Sequence, residues 1–148
     1  MGKTSSFEEI LKRDGRLIYT NRGDSMLPLI REGKDLVEIE AVQGRLKKYD
    51  VPLYKRDSGQ YVLHRIVKVR KQDYVLCGDN RRRRESGIED RHIIGVLTAV
   101  IREGKRVSVQ NPRYRFQVRL WYLLYPLRAG LMIGRSLWKR IGKKLTGK

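Results

Sequence analysis

Three short segments carry side chains suited to hydrolytic chemistry. Gly23-Asp24-Ser25-Met26-Leu27-Pro28 places a serine among turn-forming residues, where its hydroxyl and neighbouring backbone N–H groups can face a cleft as nucleophile and oxyanion donor. The same Gly-Asp-Ser also makes ordinary turns through side-chain bonds to the backbone. His64 follows 39 residues later, inside Tyr61-Val62-Leu63-His64-Arg65-Ile66-Val67, a run that reads as an apolar strand. An imidazole titrates near pH 6.5, so at neutral pH it takes a serine proton without the large downward shift a lysine would need. A lone histidine in such a strand is also a common structural residue. Asp79, in Val75-Leu76-Cys77-Gly78-Asp79-Asn80, ends a strand where its carboxylate can orient the imidazole, hold the site together, or simply close an Asp-Asn turn.

The elements that must position these residues are small and mostly β. Ser6 followed by Phe7-Glu8-Glu9-Ile10-Leu11 has the form of a capping box, with Ser6 as N-cap and Glu9 as its partner, and the helix should end near Asp14-Gly15. Period-two runs then follow at Leu17 to Tyr19, Leu36 to Ile39, Val51 to Tyr54, Tyr61 to Val69, Tyr74 to Cys77, Ile93 to Ile101 and Arg106 to Val109. Turn residues at Lys71-Gln72-Asp73 and Arg102-Glu103-Gly104-Lys105 mark two hairpins, and Pro52 puts its strand at an edge or begins it. The expected fold class is therefore mainly β: a small antiparallel domain over residues 17–110, preceded by a short helix within 1–16. With 148 residues, 40% of them hydrophobic, the chain can fill one modest core.

Residues 111–148 differ in kind. The chain carries a formal charge of +18, and positions 101–148 hold 13 of its basic residues against Glu103 alone. Between Leu120 and Gly134 the one charged residue is Arg128. A central Arg costs about 2.5–3.5 kcal/mol on insertion scales, so a helix lying in the interface is favoured over a spanning one. Trp121, Tyr122, Tyr125 and Trp138 would then sit at headgroup depth, basic residues would meet anionic phosphates, and Pro126 would kink the helix. The alternative is a helix packed on the β-domain with a solvated basic face. An anionic membrane surface is thus the expected partner beside a peptide substrate, and nucleic acid is not expected. The N-terminus has no apolar stretch of signal-peptide or anchor type, which makes the cytoplasm the default location. Cys77, the single cysteine, excludes an internal disulfide and reads as a strand hydrophobe. His92 reads as a surface or edge residue. Phosphate-binding glycine loops and spaced metal ligands are absent from the sequence, so no metal or cofactor is expected.

Taken in order, the serine box, the His64-Arg65 strand, the Gly78-Asp79-Asn80 box and the closing Ile93-Ile94-Gly95-Val96 resemble the S24/S26 serine peptidases, the group of the type I signal peptidases and LexA-like self-cleaving proteins. The resemblance covers roughly residues 17–101. Because His64 stands where many members have lysine, it is to the serine-histidine branch of endoplasmic-reticulum, archaeal and some Gram-positive signal peptidases. It implies Ser25 as nucleophile, its backbone N–H as one oxyanion donor, His64 as base and then acid, and Asp79 as supporting carboxylate, with Asp90 as the alternative. Met26 and Pro28 are implied at the substrate. Some relatives have a second oxyanion donor, a hydroxyl three residues before the nucleophile; Arg22 stands there. The implied activity is cleavage of signal or leader peptides after small residues, without a cofactor, from an extended substrate paired with a strand edge. A cytoplasmic protease maturing small-peptide leaders, or a non-catalytic basic protein binding anionic membrane or nucleic acid, are the alternatives.

Overall fold

A computed structural model describes residues 5–146, so Met1 to Thr4 and Gly147 to Lys148 lie outside the described residues. Helix α1 spans Phe7–Asp14 and closes on the left-handed Gly15. Both arms of the expected capping box are present, Glu9 N–H to Ser6 Oγ at 3.2 Å and Ser6 N–H to Glu9 Oε2 at 3.1 Å. Among the described residues nine strands follow: β1 Arg16–Thr20, β2 Leu36–Glu40, β3 Pro52–Lys55, β4 Tyr61–Leu63, β5 Arg65–Val69, β6 Tyr74–Cys77, β7 Glu85–Ile88, β8 Ile93–Arg102 and β9 Lys105–Ser108. Helices α2, Pro112–Leu123, and α3, Tyr125–Thr146, complete the chain.

Every strand pairing is antiparallel, so the mainly β, antiparallel architecture is as the periodicity indicates. The larger sheet runs β1-β2-β8-β3-β4, with β9 pairing the far end of β8, and the smaller runs β5-β6-β7. Pro52 begins its strand but does not lie on an edge, since β3 pairs with both β4 and β8. Its missing N–H is tolerated at a first strand position. The apolar run from Tyr61 to Val69 is not one strand. It breaks at His64, where the chain leaves the larger sheet for the smaller.

Two apolar cores result. Leu11, Leu17, Met26, Ile39, Leu53, Leu97 and Val118 belong to the first, which joins α1, the larger sheet and α2. Tyr54, Ile66, Tyr74, Leu76 and Ile88 belong to the second, over the smaller sheet. Buried carboxylates are paired, as burial of charge requires. Asp35 meets Arg31 at 3.0 Å and Arg102 at 2.6 Å, and Glu38 meets Arg106 at 2.9 Å.

Candidate active site

The serine segment is an irregular turn held from three sides. From below, Met26 and Ile30 are buried in the first core, and Ile30 N–H donates to Met26 O at 2.9 Å. At its entry, Gly23 takes φ +90°, a conformation side chains disfavour, and its N–H donates to Glu32 Oε1 at 2.8 Å. From the side, the Gly78-Asp79-Asn80 segment clasps it. Asn80 N–H donates to Ser25 O at 2.8 Å and Asn80 Nδ2 to Asp24 O at 3.2 Å. The contact is so close that a Cβ on Gly78 would lie 2.7 Å from Ser25 O. Glycine at 78 is thus required by approach rather than by backbone angle.

Ser25 and His64 line one cleft of about 560 Å³ together with Asn21, Arg22, Leu53, Tyr61 and Arg81. Two walls of this cleft are strand edges. Tyr19 and Thr20 belong to β1 and Tyr61, Val62 and Leu63 to β4, and among the described residues β1 pairs only with β2 and β4 only with β3. Phe7 of α1 bridges them, its ring centroid 5.0 Å from those of both Tyr19 and Tyr61. Among the described residues, neither the Ser25 hydroxyl nor its N–H has a hydrogen-bond partner, and no hydrogen bond joins Ser25 to His64. Asn21, on the same wall, has a buried Nδ2 with no partner.

The imidazole has neighbours that the sequence does not announce. Tyr54 OH lies 3.5 Å from His64 Nδ1 and donates to Glu85 Oε2 at 2.6 Å. Glu85 is fixed in turn by Arg56, through Nε at 2.8 Å and Nη2 at 2.8 Å. The phenol has one hydrogen, already given to a carboxylate, so toward His64 its oxygen can only accept. That favours the tautomer with hydrogen on Nδ1 and leaves the Nε2 lone pair free. Burial lowers the His64 pKa, with the Glu85 charge opposing and Arg56 reinforcing the shift. The ring is therefore neutral at pH 7.

Asp79 is not where an imidazole-orienting carboxylate would be. Its side chain is wholly buried and forms a two-pronged pair with Arg65, Nε to Oδ1 at 2.8 Å and Nη2 to Oδ2 at 2.8 Å. Tyr122 OH donates to Oδ1 at 2.6 Å, and Trp121 Nε1 donates to the Asp79 carbonyl at 2.8 Å. Of the roles open to it, holding the site together is the one the geometry serves. Asp90 is not at the site either: Tyr74 OH and Arg45 occupy its carboxylate. Met26 faces the core rather than a substrate, being completely buried, and the exposed Pro28 is not among the residues lining the cleft. His92 is buried instead of superficial, its Nδ1 accepting from Glu89 N–H at 2.9 Å and its Nε2 lying 3.1 Å from Asp57. Cys77 is buried on β6, and burial pushes its thiol pKa up, as expected of an unreactive strand residue.

Trp121 and Tyr122 face Asp79 instead of a headgroup layer. Arg128 also packs here, its guanidinium 3.6 Å from the Trp121 ring centroid and donating to Trp121 O at 2.8 Å. The first half of the C-terminal segment is thus built onto the β-domain, with Tyr114 and Val118 in its core. No helix among the described residues is long and apolar enough to cross a membrane.

A comparison with protein-family models finds no match for this chain, and a search of curated proteins finds no significant relative.

Proposed function

We propose that the protein is a serine endopeptidase of the signal-peptidase type, cutting extended leader or signal peptides after small residues. One observation carries this reading. Among the described residues, a serine with a free hydroxyl and free N–H and a neutral, half-buried histidine, 39 residues apart, share one cleft walled by two unpaired strand edges. The ordered serine, histidine and Gly-Asp-Asn boxes point the same way through their resemblance to the signal-peptidase group.

Each part of the cleft has a task in such a reaction. An extended peptide adds to the edge of β1 or β4 by main-chain hydrogen bonds, which orders the scissile bond over Ser25. Nε2 of His64 takes the hydroxyl proton as Ser25 Oγ bonds to the carbonyl carbon, giving a tetrahedral oxyanion. The Ser25 N–H stabilises that oxyanion, and Asn21, which lines the same cleft with its Nδ2 unpartnered, is a candidate second donor where a hydroxyl at position 22 is missing. The C–N bond then breaks as His64 returns the proton to the leaving amine. A water, losing its proton to the same nitrogen, attacks the acyl carbon, and the Ser25 Oγ–carbon bond breaks as His64 returns that proton to Ser25, freeing the new C-terminus. Serine and histidine are not hydrogen-bonded in the free protein, a common state of catalytic pairs before substrate closes on them.

The test is cleavage of preproteins and of peptides bearing Ala-x-Ala sites by purified full-length protein, with new N-termini read by mass spectrometry. Cuts that vanish in Ser25→Ala and His64→Ala support the reading. Cuts unchanged in a folded Ser25→Ala protein refute it, and no cuts by the folded wild type against any leader shift the reading to a non-catalytic binding protein.

A further inference from the structure

Beyond Arg128 the C-terminal helix stands clear of the β-domain: every residue from Gly130 to Lys144 is exposed. Its side chains are nonetheless sorted. At about 100° per residue, Leu131, Gly134, Trp138 and Ile141 fall within about 40° of Leu127, whereas Arg135, Lys139, Arg140, Lys143 and Lys144 lie about 80° or more around the axis. Met132, Ile133 and Leu137 are large apolar residues off this stripe. The stripe continues on α2, where Phe116, Leu120 and Leu123 are exposed at the same i, i+4, i+7 spacing. Trp138, 78% exposed, and Leu123, 76% exposed, touch water over most of their surface. A monomer that left such a band to solvent would gain nothing from it.

Charge selects what covers it. No acidic residue follows Glu103, so a second copy laid face to face would align like charges along the band. An acyl surface rimmed with phosphates satisfies both halves of the helix at once, apolar side chains below headgroup level and ammonium and guanidinium groups on the phosphates. We propose that α3, continued by the exposed stripe of α2, is a docking face for an anionic bilayer, with the helix lying in the interface and the β-domain held at the membrane surface. The inference rests on the two C-terminal helices and is independent of the peptidase reading, because neither Ser25 nor His64 contributes to it.

The full-length protein is tested against sedimenting vesicles of phosphatidylcholine with and without phosphatidylglycerol, at low and high salt, beside the double variant Leu131→Glu/Trp138→Glu. Both substituted positions are exposed, so circular dichroism and the unfolding midpoint should match the wild type. Expected is binding at least about tenfold stronger to the anionic vesicles and weakened by salt. The double variant should lose affinity on the order of a hundredfold. Ser25→Ala should bind as the wild type does, which separates a failure of the peptidase reading from a failure of this one. Absent or charge-indifferent binding overturns the proposal, as does equal binding by the double variant. Self-association, or binding of an acidic protein or nucleic acid, that the double variant abolishes while the wild type ignores vesicles would assign the face to that occupant instead.

Discussion

Replacing Asp79 by asparagine discriminates between a carboxylate that works on the imidazole and one that holds the fold around it. The carboxylate is inaccessible and Arg65 is 1% exposed. The substitution keeps the volume but takes away the negative charge and presents an amide donor to a guanidinium donor. Arg65 retains one amide oxygen, the Tyr49 carbonyl at 3.0 Å and the Tyr114 hydroxyl at 3.2 Å, none of which carries charge. Breaking a buried ion pair from one side costs about 3–5 kcal/mol, against a total stability of about 5–15 kcal/mol for a domain. With a urea slope of about 2 kcal/mol/M, the midpoint should fall by roughly 2 M. Urea unfolding followed by tryptophan fluorescence reads this directly, because Trp121 is bonded to the Asp79 carbonyl. At a temperature where the variant stays folded, the pH profile of kcat/KM should keep the apparent pKa of its acid limb close to that of the wild type. Glu85→Gln should do the reverse: a small effect on stability and a downward shift of that limb, since the Glu85 charge is the main influence raising the His64 pKa. A loss of less than about 1 kcal/mol in Asp79→Asn, accompanied by the larger pKa shift, would refute the assignment and return Asp79 to the imidazole.

Gly78→Ala should be folded but impaired: a Cβ 2.7 Å from Ser25 O forces the serine turn aside, at about 1–3 kcal/mol of stability, and a displacement approaching 1 Å costs about a hundredfold in kcat, as single-turnover cleavage would reveal. Tyr54→Phe removes the acceptor facing Nδ1, and about 1 kcal/mol of positioning, roughly fivefold in kcat/KM, should go with it; an unchanged rate would dismiss the tyrosine from the site. Acid should unfold the protein partly through Asp35. Burial would raise the pKa of that group, but hydrogen bonds from Arg102 and Arg31 outweigh it and hold it at about 2. A depressed pKa contributes stability above the unfolded value of about 3.9, lost as pH falls toward 2, so about 2 kcal/mol should disappear over that window in wild type but not in Asp35→Asn, measured by urea midpoints across pH.

Much of the fold was legible because alternation and turn chemistry agree over most of its length. The Ser6/Glu9 capping box, the hairpins at 71–73 and 102–105 and the long β8 all stand where patterning puts them. β7 was not legible. Glu85-Ser86-Gly87-Ile88 is polar, lacks alternation and has Gly87 at φ +79°, so it becomes a strand only because β6 offers it an edge. Glu85 was hidden with it, behind the arginines 81–84, a run that reads as a solvated loop. The break at His64 was invisible for a different reason: an apolar run has no local mark where a chain crosses between sheets. Trp121 and Tyr122 suit a headgroup layer and a buried carboxylate equally well, since both need an amphipathic ring with a donor, and only the tertiary position of Asp79 decides.

That last contact sets how short the protein can be made. Tyr122 and Trp121 close over Asp79, Asn80 next to it holds the serine turn, and Arg128 stacks on the outer face of Trp121. A fragment trimmed at residue 110, where the last strand has just ended, would keep all nine strands yet open the Arg65–Asp79 pair to water and strip Tyr114 and Val118 from the core. The smallest piece with an intact serine turn therefore extends through Arg128, and residues 112–128 belong to the folded body around that turn rather than to the tail of the molecule.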